Sequence, residues 1–137
     1  MLCGGVPADW RLRRVKAEVS CADALPFLDV EAPETHVFLT EAMGAELTSL
    51  GIDVLDVAAV RGRNRLVTRA IARWAHAATD NDGEVLFSSI RYVSRLGAFE
   101  NWAIFDGTGV VCQSEAAIDL TDPALVWASD LFKLRMF

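Results

Sequence analysis

The most regular pattern of apolar positions in the chain lies between residues 64 and 78 and predicts an amphipathic helix. These positions follow one another at steps of one and three residues, which places them on one helix face: Leu66, Val67, Ala70, Ile71, Trp74, Ala75 and Ala78. Arg65, Arg69 and Arg73 recur every fourth residue on the flank of this face. Such a row can bind an anion or a partner protein, but we favour a solvated flank whose alkyl stems lie over the core.

Two further helices are predicted from their start signals. Residues 32–35 (Ala-Pro-Glu-Thr) place a proline in a first helical turn and an acid at the positive end of the helix dipole. Gly51 is a natural stop for this helix, whose predicted apolar stripe is Phe38, Ala42, Leu50 and either Ala45 or Met43. A last helix is predicted after Thr121, its expected N-cap, with these side chains facing inward: Leu125, Ala128, Leu131 and Phe132. Residues 52–60 fit either a short strand or a loop.

The predicted strands are shorter than the helices. Residues 13–19 alternate charged and apolar side chains, as a half-exposed strand does. Residues 86–96 and 102–106 predict two short strands joined by a polar loop. Residues 106–109 (Asp-Gly-Thr-Gly) predict a tight hairpin turn, and residues 110–120 a further strand after it.

These elements fit a chain of this size and composition. Its 137 residues, of which 53% are hydrophobic, can bury a core of their own. Strands separated by single helices, with a closing hairpin, predict one α+β (mixed α/β) domain over residues 1–137. The net charge of −6 argues against direct binding of nucleic acid, because no excess of basic residues is present to neutralise phosphates. No apolar run is long enough for a membrane span, and residues 1–7 lack the charged segment and long apolar core of a secretion signal, so we expect neither.

The cysteines predict reduced thiols in a cytoplasmic protein. Cys3, Cys21 and Cys112 are odd in number and form no CxxC pair. His36 and His76 lie far from them in sequence, so we predict no zinc or other metal site.

One strand end carries the most plausible chemistry. At period two, Ile90, Tyr92 and Ser94 share a face of the strand, and Ser94 leaves it next to Arg95. A hydroxyl, an aromatic surface and a guanidinium together suit a nucleotide or another phosphorylated ligand. The alternative is structural, since serine often caps or turns a chain.

Other candidate motifs are weaker. Residues 107–109 (Gly-Thr-Gly) lack the Lys-Ser/Thr ending of a phosphate loop. Asp53 and Asp56 are three residues apart and most simply solvate a loop. His36 and His76 lie in helical patterns without a neighbouring Asp or Cys motif. A serine hydrolase ranks last, because no Gly-x-Ser-x-Gly elbow is present.

Residues 64–106 carry a family resemblance. The Arg-Leu-Val-Thr-Arg-Ala-Ile-Ala-Arg-Trp-Ala helix, the Ser-Ile-Arg-Tyr-Val-Ser-Arg-Leu strand and the Trp-Ala-Ile-Phe-Asp strand resemble the C-terminal half of a RES domain. The resemblance implies a fold like that of ADP-ribosyltransferases and the activity of a toxin from a toxin–antitoxin pair. Members of the family consume NAD⁺ by phosphorolysis or hydrolysis, or transfer its ADP-ribose to a protein. The implied partner is an Xre-type helix-turn-helix antitoxin.

The resemblance also implies roles for three residues. Ser94 matches the serine in the family's name and is the expected catalytic residue. Tyr92 and Arg95 match its neighbours and are the expected NAD-binding residues, with NAD as a substrate and no metal.

The arginine and glutamate of the family's name have no counterpart that we can assign. In the family they lie upstream, whereas Arg11, Arg13 and Glu18 stand in a different context. We therefore expect an N-terminally truncated RES domain that is weakly active or inactive. The alternative is a non-catalytic remnant that binds an antitoxin, and an exposed sheet edge would favour self-association.

Overall fold

The computed structural model describes residues 4–22, 26–94 and 97–137. Helices and strands are both well represented, which confirms the α+β class. The contacts within the chain group it into two compact units, one of Met1–Ala22 with Gly109–Phe137 and one of Asp23–Thr108. The single domain over residues 1–137 stays a prediction.

The helices are α1 (Ala8–Leu12), α2 (Pro33–Ser49), α3 (Val57–Arg61), α4 (Arg65–Ala77) and α5 (Pro123–Phe132). The strands are β1 (Gly5–Val6), β2 (Val15–Cys21), β3 (Phe27–Asp29), β4 (Ser89–Val93), β5 (Glu100–Ile104), β6 (Val110–Ala117) and β7 (Arg135–Met136). In the described ranges, no helix combines the length and the apolar character needed to cross a membrane.

The unit Asp23–Thr108 is built on a three-stranded sheet in the order β3-β4-β5. Strand β3 runs parallel to β4, and β5 runs antiparallel to it with Asn101 opposite Tyr92. The two strands predicted over residues 86–96 and 102–106 are therefore confirmed as a pair. Residues 52–60, which fitted a strand or a loop, instead contain most of α3, and the Asp56 side chain caps that helix at the Ala59 N–H.

Helices α2 and α4 supply much of the core of this unit. Helix α2 begins at Pro33, as predicted, and Gly51 follows its end with a φ of 79°, a conformation that favours glycine. Among the described residues of the unit, the buried apolar side chains are Leu28, Val30, Leu39, Met43, Leu47, Leu55, Val60, Val67, Ala70, Ile71, Ala75 and Ile90.

The predicted helix faces are confirmed in part. In α2, Leu39, Met43 and Leu47 are buried at four-residue spacing, so Met43 is confirmed as the alternative to Ala45, and Leu50 packs against the core. Ala42 and Ala45 are exposed, and Phe38 is 43% exposed and packs edge-on against Trp74. In α4 the predicted face is confirmed at four positions, but Leu66 is 59% exposed. Leu66 lies in the first turn of α4.

The unit Met1–Ala22 with Gly109–Phe137 contains two small sheets. Strand β2 pairs antiparallel with β6, and β1 pairs parallel with β7. The turn at residues 106–109 is confirmed by the φ of 92° at Gly107. The predicted hairpin is wrong, because β6 pairs with β2 while β5 pairs with β4.

Helix α5 of the same unit departs from prediction at both its cap and its face. The N-cap is Asp122, whose carboxylate accepts from the Ala124 N–H, while the Thr121 hydroxyl donates to Asp119. Leu131 and Phe132, expected to face inward, are 49% and 42% exposed. No described side chain of this unit is fully buried.

Candidate functional site

A cavity of about 560 Å³ opens in the unit Asp23–Thr108. Its size is that of a small-molecule site. From helices α3 and α4 and the segment between them, the cavity is lined by Val60, Arg61, Gly62, Arg65, Thr68, Arg69, Ile71 and Ala72. From the sheet and the residues adjoining it, the cavity is lined by Val30, Glu31, Ile90, Tyr92, Val93, Ser94, Asn101 and Ala103. The cavity thus combines an apolar interior with a few polar and charged groups.

Two of the three residues singled out in the sequence line this cavity. Tyr92 and Ser94 do so together with Ile90, the three residues that the period-two pattern placed on one face, but Val93, expected on the opposite face, lines the cavity as well. Both backbone polar groups of Ser94 are held, since its N–H donates to the Phe99 carbonyl at 2.7 Å and its carbonyl accepts from the Gly97 N–H at 3.3 Å. Arg95, the third, lies outside the described residues.

The opposite face of β4 carries an ion-pair network. Arg91 donates to Asp29 on β3 at 2.8 Å and to Glu100 on β5 at 3.0 Å, so one guanidinium ties all three strands. The bond from Arg91, followed by one from the Trp102 indole, lowers the pKa of Glu100. The hydrogen bonds that Arg91 donates, to Glu100 first and then to Asp29, raise the pKa of Arg91. Arg91 is therefore a structural cation.

Glu31 is a cavity residue that the sequence did not reveal. Its Oε1 accepts from the Val93 N–H at 3.0 Å, and its Oε2 accepts from the Arg61 Nε at 2.9 Å. The Glu31 side chain is only 10% exposed. Because β3 ends at Asp29, this carboxylate takes the place of a neighbouring strand for the end of β4, immediately before Ser94. No sequence pattern signals these contacts, because Arg61 lies 30 positions after Glu31 and Val93 lies 62 positions after Glu31.

The three arginines in the row on α4 have different surroundings. Arg73 points to solvent and pairs with Glu46 of α2, so the solvated-flank interpretation fits it. Arg65 and Arg69 line the cavity instead, and within the described part of the chain neither has an ion pair. Two exposed cations are thereby left at the edge of a concave surface.

The histidines have structural surroundings. His36 is buried, and its Nε2 lies 2.8 Å from the Val30 carbonyl oxygen. His76 contacts the Phe105 ring edge to face, with 5.2 Å between ring centroids. Neither is among the described residues that line the cavity.

The charged residues that were compared with the arginine and glutamate of the family's name lie in the unit Met1–Ala22 with Gly109–Phe137. Arg13 pairs with Asp9, and Arg11 donates to the Ile118 carbonyl. Glu18 lies in β2, near Ser114 of β6. Over residues 4–22, 26–94 and 97–137, no group of three or more metal-binding side chains is present.

No family model matches this chain, and no curated protein or solved structure matches it either. The resemblance to the RES domain therefore stands on the residues of the chain itself.

Proposed function

We propose that this chain is a cytoplasmic RES-family protein, with a fold like the C-terminal part of that ADP-ribosyltransferase-like domain, whose cavity binds NAD⁺ and acts on its nicotinamide–ribose bond. The observation that carries the proposal is the joint position of Tyr92 and Ser94 in the wall of one cavity that is also lined by arginines. These are the residues that the family resemblance nominates, and the cavity has the size and polarity of a nucleotide site.

The chemistry follows from the bond that breaks. Nicotinamide leaves with the bonding electron pair, and an oxocarbenium-like charge develops on the ribose. Water completes a hydrolysis, phosphate a phosphorolysis, and a protein side chain an ADP-ribose transfer. In this proposal the Ser94 hydroxyl hydrogen-bonds the reacting end of the ligand, and Tyr92 offers an aromatic surface against a ring.

The expected rate is low. Among the described residues lining the cavity, Glu31 is the only carboxylate, and both of its oxygens already accept hydrogen bonds. A carboxylate neutralised in this way stabilises a developing positive charge poorly.

The test is nicotinamide release from NAD⁺ with and without inorganic phosphate. The full chain should release nicotinamide slowly, and Ser94→Ala should reduce the rate about 10²-fold. The second product tells the reactions apart: ADP-ribose for hydrolysis, its 1″-phosphate for phosphorolysis, and modified protein for transfer. Equal rates for the full chain and the Ser94→Ala variant would refute the catalytic proposal.

The second candidate function is a non-catalytic module that binds an Xre-type helix-turn-helix antitoxin. The observation that favours it is that several large apolar side chains of the unit Met1–Ala22 with Gly109–Phe137 are exposed: Trp10, Val126, Trp127, Leu131 and Phe132. Co-expression with a helix-turn-helix protein encoded beside this chain should give a stable complex. A chain that stays monomeric alone and does not bind that protein would contradict it, whereas self-association would assign these side chains to contact with a second copy.

A further inference from the structure

The charge distribution of the cavity differs in sign from that of the chain. The chain carries a net charge of −6. The described residues lining the cavity include three arginines against one glutamate, an excess of two positive charges. A concave surface of one sign concentrates the electrostatic potential and attracts counter-ions.

The excess positive charge of the cavity comes from Arg65 and Arg69. Arg61 is neutralised by Glu31, with 2.7 Å between Nη2 of the arginine and Oε2 of the glutamate. Arg65 and Arg69 lie one helical turn apart with no ion pair in the described part of the chain. Like charges at this spacing repel each other and destabilise a helix. An anionic ligand would relieve this repulsion.

The other lining groups define what kind of anion fits. Two guanidinium groups favour a group with several oxygens and more than one negative charge, because each fork binds phosphate oxygens in pairs. Tyr92, Ile90 and Ala72 provide an aromatic and apolar surface that an inorganic ion would not use. Asn101 and Ser94 add hydrogen-bonding groups of the kind that recognise a sugar or a base.

We infer that Arg65 and Arg69 bind the two phosphates of a nucleoside diphosphate moiety, whose nucleoside lies against Tyr92. This inference rests on the proposed function for the identity of the whole ligand, but it concerns binding and requires no turnover. The arginine row then has two roles: Arg65 and Arg69 bind the ligand, and Arg73 forms an ion pair with Glu46.

The test is the dissociation constant of ADP-ribose for the full chain, measured by calorimetry in metal-free buffer. Arg65→Gln and Arg69→Gln should each weaken binding about tenfold, and the double variant by about 10²-fold, as expected for charge-assisted hydrogen bonds. Arg63→Gln is the matched control, because Arg63 is exposed, carries the same charge and does not line the cavity. It should change the dissociation constant less than twofold.

Each variant is first checked for a thermal midpoint that is not lowered, which is expected because Arg63, Arg65 and Arg69 are all exposed and removing one charge of the Arg65 and Arg69 pair relieves its repulsion. Pyrophosphate and adenosine, measured separately, should both bind more weakly than ADP-ribose. The inference is overturned if Arg63→Gln weakens binding as much as Arg69→Gln, if neither Arg65→Gln nor Arg69→Gln has an effect, or if pyrophosphate alone binds as tightly as ADP-ribose.

The two proposals can fail separately. Arginine-dependent binding of ADP-ribose without nicotinamide release supports the phosphate site and contradicts the catalytic proposal. Ser94-dependent nicotinamide release that is insensitive to Arg65→Gln and Arg69→Gln supports the catalytic proposal and refutes the phosphate site.

Discussion

Replacing Glu31 with alanine should both destabilise the unit Asp23–Thr108 and free the end of β4. The substitution leaves the part-buried Val93 N–H without its acceptor, which costs about 1–3 kcal/mol. It also removes the ion pair to Arg61, which contributes roughly 0.5–1 kcal/mol because the arginine side chain is 46% exposed. The expected loss in the free energy of unfolding is therefore about 1.5–4 kcal/mol, a large fraction of the stability of a small protein.

Two variants separate these contributions. Glu31→Gln retains an oxygen that can accept from the Val93 N–H and loses the charge, so it should cost only about 1 kcal/mol. Arg61→Ala keeps the bond to Val93 and removes the pair, so it should cost a similar amount. Glu31→Ala should therefore be the most destabilising of the three.

The assays are urea unfolding and amide hydrogen exchange followed by NMR. The Val93 amide should exchange slowly in the full chain and in Glu31→Gln, and fast in Glu31→Ala. A Glu31→Ala variant with the stability of Glu31→Gln, or with a Val93 amide that remains protected, would refute the role assigned to this carboxylate.

Three further predictions test the fold. The hydrogen bond from Arg91 lowers the pKa of Glu100 in the folded state. The stability that this bond contributes is therefore present above the ordinary carboxyl pKa and is lost as the pH falls through the lowered pKa of the folded state. Glu100→Gln should therefore flatten the decline of the urea midpoint over that acid range, and an unchanged slope would contradict the assignment. Leu39→Ala should cost about 2–5 kcal/mol in urea unfolding because Leu39 is fully buried, whereas Leu131→Ala, at an exposed position, should stay within about 0.5 kcal/mol; equal losses would contradict the described core. Asp56→Ala should cost about 1 kcal/mol by removing the cap of α3, and Asp56→Asn should restore most of it if capping is the cause.

The elements predicted correctly from the sequence are those whose signals are local. The proline at the start of α2, the glycine after its end and the spacing in α4 each act within a few residues. The paired strands β4 and β5 were also predictable, because a short connection joins two apolar runs.

What the sequence did not predict depends on distant partners. Strand β6 pairs with β2, nearly a hundred residues away, and no local signal distinguishes that pairing from a hairpin with β5. Glu31 is a cavity residue only because it meets Val93 and Arg61 in space. The different surroundings of the arginines also depend on distant residues. Arg73 pairs with Glu46 of α2, whereas Arg69 has no ion pair among the described residues.

Arg91 in β4 and Tyr92 and Ser94 at the end of this strand have different surroundings. On one face Arg91 is neutralised by acids from both neighbouring strands, so its charge is used to hold the sheet. On the other face Tyr92 and Ser94 stand in the cavity wall, where the nearest acid, Glu31, is already bound to Arg61 and the Val93 N–H. Every acid that could have neutralised the cavity from β3, β5 or the β3–α2 connection is thus used elsewhere. The positive charge of Arg65 and Arg69 consequently remains available at the mouth of the cavity, which is the physical reason to assign that surface to an anionic ligand.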